Sequence, residues 1–309
     1  MTTLYISHSS ALDHETPLGH PERADRIRVI ERALERSHFT RLIREQARIA
    51  EPETVCLAHP ESYVSSLAAA CEARGQIDKD AETIIYPGTY TAALYSVGAA
   101  IQGVDEVMSG KVTNSFSAMR PPGHHAERAK AMGFCFFNNA AIAARYAQRR
   151  YGAERVAIMD WDVHHGNGTQ DIFWDDPTVM YCSTHELSLY PQTGDASECG
   201  AFNNIINAPL PEGDDGRYFR AVMEEIILPG IESFSPDLIV ISAGFDAHWH
   251  DPLGNLNFLE DDFAWATRQM TALADKRCGS RIVSILEGGY DLQGLSRSVA
   301  VHVDALMDA

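Results

Sequence analysis

The sequence feature that most constrains the fold is a buried-strand pattern that runs directly into charged side chains. Residues 156–159 (VAIM) are apolar, as in a strand inside a parallel sheet, and Asp160, Asp162 and His164 follow at once. Alternate side chains of an extended chain point the same way, so these three are predicted to share one side. An Asp-x-His pair suits a cation such as Zn²⁺ when a third ligand comes from elsewhere. The alternative is a solvated turn, which Gly166 would favour.

The same pattern recurs at three other strands. Each apolar run ends in glycine or proline and in side chains capable of chemistry: His124 and His125 in RPPGHHA, Asp246 in SAGFDAHWHDPLG, and Tyr290 in LEGGYD. The carboxyl ends of parallel strands meet at one edge of a sheet, where α/β folds place their sites. We therefore expect an α/β fold of three layers, α/β/α, with a mostly parallel central sheet, formed by a single domain over residues 1–309.

Apolar periodicity predicts the remaining elements. Strands are expected at residues 4–6, 112–119, 156–159, 179–182, 204–207, 238–242 and 281–286. Helices with one apolar face are expected at residues 23–37, 61–73, 89–108, 140–151, 217–228, 261–277 and 292–307. Pro229 and Gly230 should interrupt the fifth of these helices, and residues 8–20 and 74–87 should form loops.

The composition narrows the range of partners. A formal net charge of −18 repels nucleic acid and favours a cationic substrate such as a lysine-bearing peptide or a polyamine, although solubility alone explains it equally well. No apolar run reaches the length of a membrane helix, and the amino terminus lacks a signal sequence, so a cytoplasmic location and no membrane partner are expected. The six cysteines are scattered without a CxxC pair, which argues against a disulfide framework or a cysteine zinc site.

Three of the side chains could form a catalytic metal site. Asp162, His164 and Asp246 would leave the fourth position of a zinc ion open for water and substrate. His248 lies two residues beyond Asp246 and repeats the Asp-x-His spacing, so it is a rival third ligand, ranked lower because a flexible, proline-bounded loop would hold it less firmly. A metal at this place would polarise a carbonyl and lower the pKa of a bound water to about 7.

The other side chains supply the remaining parts of a hydrolytic site. His124 and His125 could act as general base on the water and as general acid for a departing amine. Adjacent histidines are often ordinary loop residues, and their place after a strand is what favours catalysis. Tyr290 could donate a hydrogen bond to the oxyanion opposite the metal. Metal, base, acid and oxyanion donor together indicate amide hydrolysis.

Six motifs together resemble the histone deacetylase family of the zinc-dependent arginase/deacetylase superfamily. Nearly the whole chain keeps the family's order, through HPERADRIR, RPPGHHA, GFCFFNN, DWDVHHGNGTQ, SAGFDAHWHDPLG and LEGGYD. The resemblance implies the arginase/deacetylase fold and one deacetylase catalytic domain. It also implies one Zn²⁺ on Asp162, His164 and Asp246, the two adjacent histidines as a catalytic dyad, and Tyr290 as the hydroxyl that polarises the carbonyl.

The resemblance further implies where substrate and a second ion bind. It places an acyl-lysine tunnel between Phe134 and Tyr190, lined by Gly133 and Gly288. It places Arg26 near an inner channel for the released acetate. It also implies a structural K⁺ bound by four residues, namely the side chains of Asp160 and Ser183 and the backbone carbonyls of Asp162 and His164.

Four positions locate the chain within that family. Asn167 and Tyr290 are similar to class II deacetylases, whereas class I relatives usually carry Asp at the first of these positions. Tyr190 replaces the phenylalanine of many members and adds a hydroxyl to the tunnel rim. Leu253, also expected to contact substrate, stands where the polyamine-selective relative carries a glutamate, which removes one reason to favour polyamines.

The expected function is zinc-dependent removal of acetyl or short acyl groups from acyl-lysine in a peptide or protein. An acetylpolyamine amidohydrolase is the nearer alternative, and a non-catalytic acyl-ligand binder is a more distant one. A dinuclear manganese site of the arginase type would need more bridging carboxylates than Asp162 and Asp246 offer. The natural substrate, the preferred acyl group, the oligomeric state, the choice between Zn²⁺ and Fe²⁺, and the roles of His248 and His250 stay open.

Overall fold

The centre of the molecule is one parallel sheet. The computed structural model describes residues 2–72 and 83–309. Its strands are β1 (Thr3–Ser7), β2 (Ile43–Gln46), β3 (Asn114–Ser117), β4 (Val156–Asp160), β5 (Val179–Glu186), β6 (Ile205–Leu210), β7 (Leu238–Ala243) and β8 (Ile282–Leu286). They lie in the order β2-β1-β3-β8-β7-β4-β5-β6, and every pairing is parallel.

Helices cover both faces of this sheet. They are α1 (Ser10–Asp13), α2 (Asp25–Leu34), α3 (Pro52–Val55), α4 (Glu61–Glu72), α5 (Thr89–Met108), α6 (Asn139–Tyr151), α7 (Asn167–Phe173), α8 (Arg217–Val222), α9 (Leu228–Phe234), α10 (Glu260–Cys278) and α11 (Leu292–Asp308). A side chain at Gly103 of α5 would meet Ser115 of β3, whereas the preceding Asn114 donates to Leu306 O of α11 (2.9 Å). Successive β3 residues thus face different helix layers, which confirms the predicted α/β/α architecture.

Local sequence sets the ends of the helices that border the site. Asn138 accepts a hydrogen bond from Ala141 N (2.9 Å) at the start of α6, and Gly152 ends that helix with φ 69°. Asp291 caps α11 by accepting a hydrogen bond from Gly294 N (2.6 Å). These caps fix where two of the site-bearing connections, the one after β3 and the one after β8, turn into helices.

The predicted strands are present, with shifted ends. The strand expected at residues 112–119 is shorter, because only Asn114–Ser117 forms a ladder between β1 and β8. The strand expected at residues 179–182 extends to Glu186, because β6 continues the ladder beside it. The sequence pattern does not reveal β2, since all four of its side chains are exposed and show no apolar alternation.

Two other predictions are wrong. The loop expected at residues 8–20 contains α1, and His14 within it is buried, with Nδ1 at 3.0 Å from Thr89 Oγ1. The helix expected to stop at Pro229 continues through a π-helical turn, Met223–Ile227, into α9, whose first turn accommodates proline because no amide donor is needed there. Residues 73–82, which belong to the helix and loop expected at 61–73 and 74–87, lie outside the described residues.

The strand order brings four strand ends side by side. The carboxyl ends of β3, β8, β7 and β4 are neighbours in the sheet, and they lead into the segments that carry the predicted site residues. The fold therefore assembles these segments at one edge, as parallel α/β sheets do. The six cysteines form no disulfide. Across residues 2–72 and 83–309, no helix combines the length and apolarity that crossing a membrane requires.

Candidate active site

The three predicted metal ligands lie together just beyond β4 and β7. His164 Nδ1 is 3.0 Å from Asp162 Oδ1 and 3.2 Å from Asp246 Oδ2. Strand β4 ends at Asp160, so the strand alternation assumed in the prediction does not extend to Asp162 and His164. The backbone turns instead, and His164 N donates to Asp162 Oδ1 (2.9 Å). The grouping expected from the sequence is present, but a turn rather than a strand creates it.

The charges of this cluster fit a divalent cation. Asp162 and Asp246 are almost fully buried, and two buried carboxylates at one place need a positive partner. Burial and the neighbouring Asp162 raise the pKa of Asp246 to about 6. Asp246 Oδ2 receives no well-aligned hydrogen bond from any described residue. Zinc bonds of about 2.0–2.1 Å at tetrahedral angles place donor atoms roughly 3.3 Å apart, which is close to the separations of 3.0 and 3.2 Å around His164 Nδ1.

The predicted histidine dyad follows β3, and its two members have unlike neighbours. The rings of His124 and His125 have centroids 4.0 Å apart. His124 Nδ1 lies 3.0 Å from Asp160 Oδ2, whereas His125 Nδ1 lies 2.8 Å from Asn167 Oδ1. Burial opposes a positive His124, but Asp162 and Asp160 outweigh it and raise the pKa of His124 well above its usual value. Burial and the positive charge of His124 lower the pKa of His125.

Glu287, which the sequence analysis did not single out, anchors the histidine loop. Its Oε2 accepts hydrogen bonds from Gly123 N (2.7 Å) and His124 N (3.1 Å), and Ser242 Oγ donates to Oε1 (3.3 Å). Burial raises the pKa of Glu287 to about 7. The available signal was a glutamate between an apolar strand and two glycines, because a carboxylate at such a place must have buried partners.

Tyr290 follows β8 and lies between Arg26 and Phe134. The guanidinium carbon of Arg26 is 4.9 Å from the centroid of the Tyr290 ring, and Phe134 meets the same ring edge to face with centroids 5.9 Å apart. Arg26 is fully buried and donates to the backbone oxygens of Glu287 and Gly289. The arginine therefore supports the backbone that carries Tyr290.

A cavity of about 620 Å³ opens onto His125, His164 and Tyr290. Its wall includes four of the predicted substrate contacts, Gly133, Phe134, Tyr190 and Leu253. Gly288 is not in the wall, and a side chain there would collide with the carboxylates of Asp162 and Asp246. The sequence analysis did not single out the rest of the wall, because most of it comes from the loops expected at residues 8–20 and 74–87. These remaining wall residues are Pro17, Leu18, Gly19, His20, Pro21, Ile84 and Leu189.

The side chains predicted to bind K⁺ lie side by side, Asp160 at the carboxyl end of β4 and Ser183 within β5. Asp160 and Ser183 are partners in the strand register and are fully buried. Asp160 Oδ2 accepts a hydrogen bond from Tyr181 OH (3.0 Å), and Ser183 Oγ lies 2.9 Å from His185 Nδ1. Both side chains therefore have protein partners, and the potassium site stays a prediction.

His248 and His250 form a separate group with Asp291. One donor atom of each lies within 4.8 Å of the others, and Asp246 is not a member of this group. His248 Nδ1 accepts a hydrogen bond from His250 N (3.3 Å), so the lone pair of that nitrogen is engaged. The loop is not the flexible segment expected, because His248 is buried and forms a β-bridge with Phe258.

Comparison with known proteins identifies the family. A profile of the histone deacetylase domain matches residues 20–306. The chain belongs to the histone deacetylase family. A probable deacetylase from Archaeoglobus fulgidus is 39% identical to this family member over 300 residues, which cover 95% of this chain and 83% of the archaeal protein. The polyamine deacetylase HDAC10 from Homo sapiens is 37% identical over 310 residues, which cover 96% of this chain and 45% of the human protein.

A solved structure agrees with this assignment. The HDA15 HD domain superimposes with a TM-score of 0.91 and 34% sequence identity, covering 99% of this chain and 88% of that domain. The predicted arginase/deacetylase fold is thereby confirmed. As a histone deacetylase family member, the chain is a hydrolase of amide bonds with deacetylase or amidohydrolase activity. The family is generally zinc-dependent.

Proposed function

We propose that the chain is a Zn²⁺-dependent deacylase that removes acetyl or other short acyl groups from lysine side chains. The observation that carries the proposal is the convergence of His125, His164 and Tyr290 in one cavity, with the carboxylates of Asp162 and Asp246 against His164. We assign Asp162, His164 and Asp246 as zinc ligands. When bound, zinc supplies a Lewis acid that polarises the acyl carbonyl and lowers the pKa of water.

The two histidines of the dyad have separate roles in this proposal. The amide nitrogen of Asn167 donates to Glu127 Oε1 (2.9 Å), which leaves Asn167 Oδ1 to accept from His125 Nδ1. The other ring nitrogen of His125 is then unprotonated, and His125 lines the cavity. It can therefore take a proton from water and deliver it to the departing amine. The carboxylates of Asp162 and Asp160 hold His124 positive, and its charge stabilises the negative charge that develops beside it.

Tyr290 is the proposed donor to the carbonyl oxygen of the substrate. Burial raises the pKa of its hydroxyl well above the usual value, so the hydroxyl keeps its proton at neutral pH. A protonated phenol can donate a hydrogen bond to an oxygen that gains charge in the transition state. Tyr290 enters the cavity from the connection after β8, whereas His125 enters from the connection after β3. Two adjacent strand ends thus supply the oxyanion donor and the base.

The cavity wall suits the methylene chain of a lysine. Phe134 and Tyr190 offer aromatic faces, and Leu189 and Leu253 offer aliphatic ones. Burying methylene groups against such surfaces stabilises binding by about 0.8 kcal/mol each. We assign Phe134, Tyr190 and Leu253, together with Gly133, as substrate contacts. The amide at the end of the lysine would then reach the base and the metal ligands.

An acetylpolyamine is the second candidate substrate. It is favoured by the 37% identity to the human polyamine deacetylase HDAC10 and by the net charge of −18, which attracts cations. We place it second because Leu253 in the cavity wall offers no charge to a secondary ammonium group.

We also propose a structural K⁺ beside Asp160 at the carboxyl end of β4 and Ser183 within β5, in a single catalytic domain over residues 1–309. The ligands would be the side chains of Asp160 and Ser183 and the backbone carbonyls of Asp162 and His164. The support is the full burial of the Asp160 carboxylate, whose charge a nearby cation would balance together with His124.

Hydrolysis of a small substrate panel tests the proposal. Zinc-loaded protein is incubated with an acetyl-lysine peptide, a trifluoroacetyl-lysine peptide and acetylspermidine, with and without a hydroxamate chelator. We expect hydroxamate-sensitive turnover of both peptides, at higher kcat/KM than acetylspermidine. A preference for acetylspermidine would move the assignment to the polyamine. Absence of turnover of all three substrates with zinc bound would contradict the proposed activity.

A further inference from the structure

Asp251 is a buried carboxylate that has no assigned part in the reaction. It is 7% exposed and lies five residues after Asp246. Its Oδ2 accepts hydrogen bonds from Tyr290 N (2.6 Å) and Asp291 N (3.1 Å), and its Oδ1 accepts one from Leu253 N (3.0 Å). One side chain thus joins the loop after β7 to the connection after β8.

The connection that carries Tyr290 depends on such external contacts. Only residues 287–291 separate β8 from α11, and two of them are Gly288 and Gly289, the latter with φ 120°. Glycine restricts its own backbone less than any other residue, so this stretch does not fix the direction of the following tyrosine. The backbone amide of Tyr290 itself is held by Asp251.

We propose that Asp251 is a positioning residue for Tyr290 and that it acts through the tyrosine's backbone amide. The inference rests on the proposed function, which assigns the Tyr290 hydroxyl to the acyl carbonyl. Groups that act on the transition state must be held within about 0.5 Å of their productive place, and an error of about 1 Å can cost roughly 100-fold in rate. Because Asp251 also accepts a hydrogen bond from Leu253 N, it fixes the position of the cavity wall at Leu253 relative to the Tyr290 hydroxyl.

The chemistry of the contacts requires a carboxylate. All three partners of the Asp251 side chain are backbone N–H groups, so both of its oxygens act as acceptors. Burial and the neighbouring Asp246 raise the pKa of Asp251 to about 7, and these three donors favour its ionised form. Asparagine has nearly the same volume but a single accepting oxygen. In Asp251→Asn the new amide group must therefore face either Leu253 N or the amides of Tyr290 and Asp291. That variant breaks one side of the link with little change in packing.

A double-mutant cycle tests the inference. Asp251→Asn and Tyr290→Phe are made singly and together, and kcat, KM and zinc content are measured with an acetyl-lysine peptide. Asp251→Asn should lower kcat by about 10- to 100-fold while KM changes by less than about threefold and zinc content is kept. In the Tyr290→Phe background the same substitution should lower kcat by less than about threefold, because no hydroxyl is left to position. Asp251→Ser, which removes the carboxylate from both sides of the link, is the second variant and is made in both backgrounds.

Asp237 provides a matched control at the other end of the sheet. Its Oδ2 accepts hydrogen bonds from Glu154 N (2.8 Å) and Arg155 N (2.9 Å), just before β7 begins. Asp237→Asn weakens the same kind of contact and should leave kcat unchanged. Equal losses of kcat from the Asp251 variants in both backgrounds, or no loss of kcat from either Asp251→Asn or Asp251→Ser, would overturn the positioning role. Full activity of Tyr290→Phe would instead overturn the proposed function on which the inference rests.

Discussion

Asn167 Oδ1 lies 2.8 Å from His125 Nδ1, so the histidine in the cavity wall is paired with a neutral amide. The adjacent His124 is paired with the carboxylate of Asp160. A carboxylate stabilises the charged imidazole and an amide does so much less, so the two rings acquire different protonation states. The structure thus contains one histidine suited to accept a proton and one suited to remain positive.

Replacing this amide with a carboxylate should change the pH dependence of the reaction. In Asn167→Asp, the new negative charge raises the pKa of His125, and the acid limb of the kcat/KM profile should move up by about one to two pH units. The direction follows because the base must be neutral, and a higher pKa leaves less neutral base at low pH. The measurement is kcat/KM over a pH series. An acid limb at the same pH as in the wild type would contradict the assignment of His125 as the base.

Removing the base or the oxyanion donor should abolish most turnover without unfolding the protein. His125→Ala should lower kcat by about 100- to 10,000-fold, and Tyr290→Phe by about 100- to 1,000-fold. Steady-state kinetics with an acetyl-lysine peptide, accompanied by thermal unfolding, provides the test. His38→Ala, at an exposed position paired with Asp304, serves as the control with normal activity. Normal activity of both site variants would refute the mechanism.

Adding one methyl group at Gly288 should weaken metal binding. A side chain there would collide with the carboxylates of Asp246 and Asp162, so Gly288→Ala must displace at least one proposed ligand. Loss of ligand geometry should reduce zinc affinity by about 10- to 100-fold. Competition with a chromophoric chelator measures the affinity. Gly110→Ala, in open space but at φ 75°, should affect stability and leave zinc affinity unchanged. Wild-type affinity in Gly288→Ala would exclude this arrangement of ligands.

Acid should destabilise the fold through His302, which is remote from the proposed chemistry. Burial lowers the pKa of His302 to about 3, and its ring nitrogens contact Thr267 Oγ1 (2.7 Å) and Ser284 Oγ (2.8 Å). Since the unfolded histidine titrates near 6.5, the unfolded state binds more protons between these values, and stability falls as pH falls. At about pH 4.5 this amounts to about 3 kcal/mol.

A variant without His302 isolates this contribution. His302→Gln cannot titrate, so the free energy of unfolding of the wild type minus that of the variant should shrink by about 3 kcal/mol between about pH 7.5 and 4.5. Urea unfolding of both proteins at the two pH values gives this difference. A difference that does not change with pH would show that His302 does not titrate as described.

The sequence predicts the fold well where a local pattern reports burial. Strands such as β4 and β8 are buried throughout and mostly apolar, and charged residues or glycines follow their apolar runs, so the strands and their shared edge follow from the pattern. Strand β2 has four exposed side chains and exists because its backbone pairs with β1, a contact with no local signature. The helix continues past Pro229 because the proline lies in the first turn of α9, directly after a π-helical turn, where no amide donor is needed.

The candidate site is predictable to the same extent. Asp162, His164 and Asp246 stand in motifs at strand ends, and the sequence places them in one group although the strand alternation used for the first two does not hold. Glu287 and Asp251 act by accepting backbone hydrogen bonds from segments distant in sequence, so no motif or residue spacing in the sequence indicates their roles. Positions of that kind become visible only when the fold brings the segments together.

The central claim is that hydrolysis depends on a metal held by Asp162, His164 and Asp246, and a metal titration tests it most directly. Metal-free protein is titrated with Zn²⁺, and release of acetate from an acetyl-lysine peptide is followed in the wild type and in Asp246→Asn. The account predicts that wild-type activity rises in proportion to added zinc and saturates near about one equivalent, whereas the variant needs at least about tenfold more zinc. Undiminished hydrolysis by the metal-free protein, or the same zinc dependence in both proteins, would contradict it.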